Sequence, residues 1–193
     1  MGYSQKELLW RRGSRRSPQC GSAPAGEHRS RGGRRDRIPD GGTAKIARKV
    51  IALDFSEAMM SQARAKLGQG NIEFKIGNVK QIPLPNASVD AVIGNMVLHH
   101  CPSPEAAVRE MARALVPGGR LVLSDLQAHS YESLRKEHAD LWMGFKMDYV
   151  RMTLQKSALE GVSVEGLSSC CSETKENEHI MIPMFLAAGH KPF

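Results

Sequence analysis

Hydrophobic and polar positions divide the chain near residue 44. From Gly13 to Thr43 the residues are mainly Arg, Gly, Ser, Pro and Asp, and no strand-like or helix-like period runs through the few apolar positions. Beyond Ala44, short apolar runs alternate with stretches whose apolar residues recur at helical spacing. We therefore predict an irregular basic N-terminal segment over residues 1–43, in which only Met1–Trp10 could form a short helical turn, and a folded domain over residues 44–193.

Apolar runs and helix-start signals define the predicted elements of the folded part. The run at 49–54 is short, apolar and ends in the carboxylate of Asp54, which is typical of a buried parallel strand. Ser56 can cap a helix that stops at Gly68, and Ser103 followed by Pro opens another. The predicted strands are 49–54, 71–76, 89–96, 120–126, 162–167 and 180–188, and the predicted helices are 56–67, 104–115, 131–145 and 147–159.

Strands that alternate with helices indicate an α/β fold with a mainly parallel sheet. In such sheets, ligands bind outside the carboxyl ends of the strands, so the residues just after each strand are the candidates for chemistry. Asp54, Asn78 and Asn95 hold three of these positions. A carboxylate at Asp54 could accept hydrogen bonds from the vicinal hydroxyls of a ribose, or it could only favour the dipole of the following helix. The Asn78 amide could contact an adenine edge, flanked by Val79 or Ile82, or it could only form a turn.

Composition and charge narrow the function classes. The 193 residues fit one domain with a single core. No apolar run approaches the roughly 18 residues that a membrane helix needs, so we expect no membrane partner. Four cysteines form no spaced framework, which favours a reduced, cytoplasmic setting. Residues 1–49 hold 13 Lys and Arg against 4 Asp and Glu, whereas the remainder holds 14 against 16, so the excess positive charge behind the net charge of +7 lies entirely within residues 1–49.

Five stretches of the folded part form a pattern when they are taken in chain order: Val50–Met59, Gly77–Pro85, Ser88–Val92, Val97–His100 and Leu115–Leu121. Together they resemble the class I methyltransferases that use S-adenosylmethionine (SAM), especially the branch around ubiquinone and menaquinone biosynthesis. The resemblance runs from about Ala44 to Lys191 and implies a Rossmann-like sheet with helices on both faces.

The resemblance implies a role for each matched position. Asp54 corresponds to the residue that binds the SAM ribose, and Phe55 lies beside the adenine. Asn78 stands where the family usually has Asp, which accepts a bond from the adenine amino group, and Val79 follows it. Asn95 would lie near the methionine part of SAM. The set of cofactor-binding residues that we predict is therefore Asp54, Phe55, Asn78, Val79 and Asn95.

One family motif is missing. In the family, a first strand ends in an acidic residue and leads into Gly-x-Gly-x-Gly, whose backbone approaches the methionine portion of SAM. Counting back from Asp54, this motif should fall on residues 31–37, where only Gly33 is in register and no apolar strand precedes it. The family's strand order is 3-2-1-4-5-7-6, so the absent strand is the central one. We expect the strands at Val50 and Val89 to lack their shared neighbour, and the chain to be poorly stable or to bind SAM weakly.

The genetic code offers an explanation for the missing motif. If the Gly, Arg and Asp codons of residues 31–37 are read one nucleotide later, they permit Glu-Val-Gly-(Gly/Ala)-Gly-Thr-Gly, which is the family motif in its expected register. We hypothesise that the segment before Ala44 is translated from the wrong frame of a methyltransferase gene. A nucleotide sequence that cannot encode the glycine motif in a neighbouring frame would exclude this hypothesis.

The favoured function is methyl transfer from SAM to a small molecule. If the acceptor must lose a proton, Asp125, His129 and His99 are candidate bases by their places after strands, although loop solvation and helix capping explain Asp125 and His129 equally well. No metal is predicted: His99, His100 and Cys101 are adjacent, and adjacent residues were not expected to converge on one ion. The His pair matches a family hallmark whose role is more often structural than catalytic.

Two other function classes stay open at this level. A non-catalytic methyltransferase-fold protein could use the basic segment as an arm for nucleic acid or another acidic partner, although no aromatic residues interleave with its arginines. A nicotinamide-dependent oxidoreductase would explain Asp54 but not the Gly77–Pro85 or Val97–His100 stretches. The methyl acceptor cannot be deduced from the sequence, since the residues that select it vary within the fold.

Overall fold

A computed structural model describes residues 8–11, 47–68, 70–132, 140–175 and 178–193, and the statements below concern these residues. They form seven strands, three α-helices and one short 3-10 helix. In chain order the elements are β1 Leu8–Arg11, β2 Val50–Asp54, α1 Glu57–Leu67, β3 Ile72–Ile76, β4 Val89–Asn95, the 3-10 helix Leu98–His100, α2 Pro104–Ala114, β5 Leu115–Leu126, α3 Met147–Lys156, β6 Glu160–Lys175 and β7 Glu178–His190.

The seven strands form one sheet in the order β3-β2-β1-β4-β5-β7-β6. The pairs β2–β3 and β4–β5 are parallel, and β1 is antiparallel to both β2 and β4. At the far end, β7 is antiparallel to both β5 and β6. Five strands therefore share one direction and only β1 and β7 oppose them. This confirms the α/β prediction and gives the strand order expected for the family.

The centre of the sheet differs from the prediction. β1 fills the position between β2 and β4: Leu8 lies opposite Leu53 and Gly94, and Arg11 lies opposite Val50 and Ala91. The expectation that the strands at Val50 and Val89 lack a shared neighbour is therefore wrong. The helical turn that the sequence allowed within Met1–Trp10 does not include residues 8–10, which are strand, and residues 1–7 lie outside the described residues. The physical reason is that a gap between two strands leaves backbone N–H and C=O groups unpaired on both sides, which a short extended segment can pair at once.

The helix starts follow the sequence signals. The Ser56 hydroxyl accepts a hydrogen bond from the backbone N–H of Met59 at 3.4 Å, and Ser103 does the same for Ala106 at 3.3 Å. Each serine therefore satisfies one of the N–H groups that the first turn of a helix leaves without a partner. Gly68 ends α1 with φ of 69°, a conformation that favours glycine. The predicted helices at 56–67 and 104–115 are confirmed to within one residue.

β5 starts five residues earlier than predicted. The sequence Pro117-Gly118-Gly119 does end α2, but the chain continues as a strand rather than as a loop. The C-terminal residues explain this, because the Gly118 N–H donates to the Lys191 carbonyl at 2.9 Å and the Lys191 N–H donates to Gly119 at 2.8 Å. A segment that the sequence predicts as a helix stop is thus paired with the C-terminal end of the chain through the backbone of Lys191.

The sheet carries apolar side chains on both faces. Along β2, Val50 and Ala52 pack with Met60 of α1, whereas Ile51 and Leu53 point to the opposite face and join the larger core. This larger core lies between the sheet and the helices α2 and α3. Its most deeply buried side chains include Met111, Leu115, Leu121, Leu154 and Phe185. None of the helices in the described part of the chain has both the length and the apolar character needed to cross a bilayer.

The predicted helix over 131–145 is wrong at its C-terminal end. Residues 133–139 lie outside the described residues, but 140–146 are irregular, and Phe145 forms an isolated bridge with Gln127. Gly144 has φ of 69°, and a Cβ atom added there would lie 2.2 Å from the Gln127 carbonyl oxygen. The segment is therefore a loop laid against the end of β5, and only glycine fits at its point of closest approach.

Candidate functional site: a cavity at the carboxyl edge of the sheet

The loops that follow β2 and β3 enclose a cavity of about 220 Å³ together with the turn at 97–102. The structure brings together here four of the five predicted cofactor residues: Asp54, Phe55, Asn78 and Val79. The full lining is Leu53, Asp54, Phe55, Gly77, Asn78, Val79, Lys80, Val97, His100, Cys101 and Pro102. The carboxyl ends of the parallel pair β2–β3 therefore form the kind of ligand site expected for an α/β sheet.

Asp54 is the last residue of β2 and is 5% exposed. Its Oδ1 atom accepts a hydrogen bond from the Ser56 N–H at 2.7 Å, and its carbonyl accepts one from the Gly77 N–H at 3.0 Å. The first bond supports the interpretation as a helix-start residue, and the second ties the ends of β2 and β3 together. A carboxylate has about four lone-pair positions, so the bond to Ser56 is compatible with a further bond to a ribose hydroxyl.

Asn78 forms the turn that the sequence left open as an alternative. Its Oδ1 atom accepts a hydrogen bond from the Lys80 N–H at 2.9 Å, and its carbonyl accepts one from Gln81 at 2.9 Å. The side chain is exposed on the cavity rim, and its amide oxygen has a second lone pair. Phe55 is 63% exposed beside it, which places an aromatic face at the mouth of the cavity.

The loop that carries Asn78 is fastened to α2. The buried Ile82 donates its N–H to Glu110 Oε1 at 2.9 Å and accepts a bond from Arg113 Nη2 at 3.1 Å. Glu110 also accepts bonds from Arg113, and this guanidinium holds the pKa of the Glu110 carboxyl below its usual value. At the start of the loop, a Cβ atom on Gly77 would lie 2.9 Å from Leu53. The cavity wall is therefore set by contacts that no local sequence pattern reveals.

Asn95, the fifth predicted cofactor residue, does not line the cavity. It is the last residue of β4, and its Oδ1 atom accepts a hydrogen bond from the Ser124 hydroxyl at 2.6 Å. Because β1 lies between β2 and β4, Asn95 sits across the central strand from Asp54. Its role near the methionine part of SAM stays a prediction.

Asp125 and His99, two of the candidate bases, form a buried pair instead of facing the cavity. Asp125 is fully buried and accepts hydrogen bonds from the N–H groups of Leu98 and Leu126, both at 2.8 Å. Its Oδ1 atom also contacts His99 Nδ1. His99 is 2% exposed. The pair fixes the 3-10 helix to the end of β5, which agrees with a structural role for the family's His hallmark.

The third candidate base, His129, lies in the loop after β5 and does not line the cavity either. Burial is the main reason why the pKa of its imidazole is lowered from the usual value. Its Nδ1 atom accepts a hydrogen bond from the Tyr131 N–H at 3.3 Å. The geometry therefore assigns none of Asp125, His99 and His129 to direct contact with a ligand in the cavity.

The loop 140–146 packs on the same 3-10 helix. Its Leu141 and Trp142 N–H groups both donate to the His99 carbonyl, at 3.0 and 3.1 Å, and Trp142 Nε1 donates to the Cys101 carbonyl at 2.8 Å. Phe145 is buried in the core, whereas Trp142 is 40% exposed. Sequence reasoning missed this loop, and it also missed His100, whose ring lines the cavity.

The residues around the cavity correspond to one half of the predicted SAM site. The four residues predicted to contact ribose and adenine line it, but the glycine turn predicted for the methionine half should follow the central strand at this same edge. β1 runs the other way, so Leu8 is at the edge near Asp54 and Gly94 whereas Arg11 is at the opposite edge. The predicted position of the motif, residues 31–37, lies outside the described residues.

Comparisons with known proteins agree with this fold. Residues 40–123 match the family described as methyltransferase domain. A demethylmenaquinone methyltransferase from Lactococcus lactis is 35% identical over 115 residues, which cover 58% of this chain and 45% of the relative. A ubiquinone/menaquinone biosynthesis C-methyltransferase from Cronobacter sakazakii is 31% identical over 106 residues, covering 50% and 42%. The chain thus spans less than half the length of these two relatives.

Solved structures show the same fold. Phosphoethanolamine N-methyltransferase 2 from Haemonchus contortus, solved with phosphomonomethylethanolamine and S-adenosylhomocysteine, superposes with a TM-score of 0.62 at 12% identity, covering 79% of this chain and 46% of that one. At this identity the likeness concerns the fold alone. SAM is the cofactor that the domain match and the fold imply. The matching domain, the named relatives and the strand order together support a class I SAM-dependent methyltransferase.

Proposed function

We propose that the chain is a SAM-dependent methyltransferase of a small molecule that holds the adenosyl half of its cofactor but lacks the glycine turn for the methionine half. One observation carries this proposal: Asp54, Phe55, Asn78 and Val79 line a single cavity, while the strand beside them runs antiparallel. The chain should therefore bind adenosine derivatives, and it should gain little affinity from the methionine tail of SAM.

The roles of the residues follow from their atoms. Asp54 accepts hydrogen bonds from the ribose hydroxyls, the Asn78 amide oxygen accepts one from the adenine amino group, and Phe55 covers the ring. The SAM sulfonium supplies an activated methyl group, so the protein has mainly to align the acceptor with it. The relatives named above are a demethylmenaquinone methyltransferase and a C-methyltransferase of ubiquinone/menaquinone biosynthesis, which supports a small-molecule acceptor.

Calorimetric titration of the full chain with SAM and with 5′-methylthioadenosine tests the proposal. The second compound keeps the adenosyl group and the sulfur but lacks the amino acid tail. We expect the two dissociation constants to agree within about threefold, because a methionine tail without partners adds little binding free energy. A SAM affinity in the low micromolar range with a much weaker 5′-methylthioadenosine would show that a methionine site exists and would refute the proposal.

Asp54→Asn provides the residue-level test. The variant removes the charge but keeps an oxygen for the Ser56 N–H, so binding of 5′-methylthioadenosine should weaken by about tenfold or more while the fold persists. Glu57→Gln is the matched control: Glu57 is an exposed carboxylate in the first turn of α1 and does not line the cavity. Equal binding by both variants would exclude Asp54 as the ribose ligand. No binding by the unmodified chain would favour a non-catalytic methyltransferase-fold protein.

The origin of the missing motif is tested separately. The hypothesis that the segment before Ala44 is read in the wrong frame stays a prediction, and the nucleotide sequence of the locus decides it. If the neighbouring frame encodes the glycine motif, a chain that carries it should bind SAM more tightly than 5′-methylthioadenosine and should be stabilised by SAM against heat. Unchanged SAM binding by that chain would show that the motif is not what limits the site.

A further inference from the structure

Three ionisable side chains converge behind the cavity. His99 Nε2 lies 3.6 Å from Asp140 Oδ1, and His100 Nδ1 lies 3.4 Å from the same oxygen. One ligand atom from each of these residues lies within 4.8 Å of the other two. The three side chains are 3, 6 and 5% exposed. We propose that His99, His100 and Asp140 form a binding site for a divalent transition-metal ion of the zinc class.

The first argument is the distances from the two histidine nitrogens to the Asp140 oxygen. Both distances to Asp140 exceed the roughly 2.7–3.2 Å of a good hydrogen bond. They match instead the spacing between two ligands of one zinc ion: with metal–ligand bonds of about 2.0–2.1 Å and a tetrahedral angle, ligand atoms stand about 3.3–3.5 Å apart. The atoms are thus placed around a common centre rather than against each other.

The unsatisfied ring nitrogen of His100 is the second argument. Its Nδ1 atom is buried, and it has no hydrogen-bond partner among the described residues. Buried polar atoms nearly always have a partner, so an orphan atom of this kind calls for an explanation. A metal ion would satisfy it, because a neutral imidazole coordinates through such a lone pair.

Asp125 provides the third argument. It holds His99 through Nδ1 and thereby turns Nε2 toward Asp140. A carboxylate that orients the far nitrogen of a histidine is the usual support of a metal-bound imidazole, since it fixes the tautomer that leaves the other nitrogen free to coordinate.

Adjacent residues can converge here because of the backbone between them. His99 and His100 lie in the 3-10 helix, where their ring centroids are 4.0 Å apart with the planes tilted by 46°, and the carboxylate comes from a loop 40 residues further on. Cys101 is not part of the cluster, and its Sγ atom donates instead to the Val97 carbonyl at 3.2 Å. The expectation that neighbouring histidines cannot share an ion does not hold for this pair.

The site has an access path and room for a further ligand. His100 also lines the 220 Å³ cavity, so an ion could reach the cluster from the side where the cofactor half-site opens. Three protein ligands leave the fourth tetrahedral position for water or for an oxygen of a molecule in the cavity. His129 Nε2 is a second buried ring nitrogen without a hydrogen-bond partner in the described part of the chain. Electrostatic interactions with Asp140 and His99 contribute to the pKa of this imidazole.

Titration of the EDTA-treated full chain with Zn²⁺ tests the proposal. We expect one zinc equivalent to bind, and His100→Gln and Asp140→Asn each to weaken binding by about 100-fold or more, because loss of an outer-sphere partner alone costs about 10–100-fold. His190→Gln is the matched control: this imidazole is partly exposed, and its Nε2 atom lies 4.0 Å from Glu160, so its loss should leave the affinity unchanged. Equal zinc binding by all four proteins would overturn the proposal.

Cobalt provides a readout that does not depend on the variants. Co²⁺ bound by the unmodified chain should show the intense visible bands of tetrahedral coordination without the near-ultraviolet charge-transfer band of a thiolate, since the proposed ligands are nitrogen and oxygen. Weak octahedral bands, or a strong thiolate band, would overturn the proposal even if both substituted chains failed to fold.

Discussion

β1 divides the carboxyl edge of the sheet into two halves of different character. On one side, the loops after β2 and β3 form an open cavity with Phe55 63% exposed. On the other side, the segments after β4 and β5 form a closed cluster in which His99 is 2% and Asp125 0% exposed. In the closed half, the polar side chains contact one another. His100 is the member of the cluster His99, His100 and Asp140 that also lines the cavity.

The difference between the two halves shows that the direction of the central strand determines whether the ligand site is complete. In the family, a glycine turn after the central strand joins the two halves and holds the methionine part of SAM. Here the central strand has the family's position but the opposite direction, so its carboxyl end lies at the other edge of the sheet. A central strand of either direction can pair with the backbone of its neighbours. The ligand site, however, requires the carboxyl end of that strand to lie at the same edge of the sheet as the carboxyl ends of β2 and β4.

Leu9→Pro in β1 should have the largest effect of the changes considered. Every backbone N–H of a central strand faces one neighbour or the other, and Leu9 lies opposite Ala52 and Ile93. Proline removes one donor and disrupts both ladders, and each buried group left unpaired costs about 1–3 kcal/mol, so we expect a loss of more than about 4 kcal/mol in the free energy of unfolding. Urea denaturation followed by circular dichroism measures it.

Leu9→Val is the control for that change. Valine keeps the N–H group and favours extended backbone, so this variant should unfold close to the unmodified chain. If Leu9→Pro and Leu9→Val unfolded at the same urea concentration, β1 would not hold the centre of the sheet, and the two halves of the edge would not be divided as described.

The sequence predicted the elements whose signals are local. Ser56 and Ser103 cap helices where a capping side chain was expected, and Val50 lies in a strand because an apolar run of that length suits a buried position. β1 was not predicted because its four residues, in a basic stretch of the chain, show no helix-like or strand-like period of apolar positions. They form a strand because the backbone groups of β2 and β4 would otherwise be unpaired on both sides of them. The family resemblance gave the strand order but not the direction of this strand.

The two halves of the edge differ in the same way. Asp54 and Asn78 could be found because Asp54 ends one strand and Asn78 lies just beyond the end of the next, and the ends of parallel neighbours meet. The cluster of His99, His100 and Asp140 could not, because its carboxylate comes from a loop that the sequence pattern assigned to a helix. Only the fold shows that this loop returns to the 3-10 helix.

Gly144→Ala tests the closed half. Alanine there meets two costs: φ of 69° strains a residue with a Cβ atom, and that atom would lie 2.2 Å from the Gln127 carbonyl oxygen. We expect a loss of about 3 kcal/mol in unfolding free energy, together with a change in the fluorescence of Trp142, which the same loop holds against Cys101.

Gly68→Ala separates the two costs. Gly68 has the same φ of 69°, but a Cβ atom there would meet nothing within 4 Å. Gly68→Ala should therefore lose only the about 1–2 kcal/mol of unfolding free energy that the backbone strain costs, and it should leave the fluorescence of Trp142 unchanged. Equal losses for the two glycines would mean that the loop is not docked against the end of β5.

The smallest expected effect belongs to the open half. Asn78→Asp restores the residue that the family usually has, keeps an oxygen for the Lys80 N–H, and replaces a neutral acceptor with a charged one toward the adenine amino group. Because the side chain is exposed, the gain should be only about threefold in affinity for 5′-methylthioadenosine, measured by calorimetry. Asn86→Asp makes the same change in the same loop outside the cavity, where Asn86 accepts a bond from Arg113. If both variants bound the compound equally well, Asn78 would be a turn residue and nothing more, and the adenine would have to be recognised by Phe55 and the backbone alone.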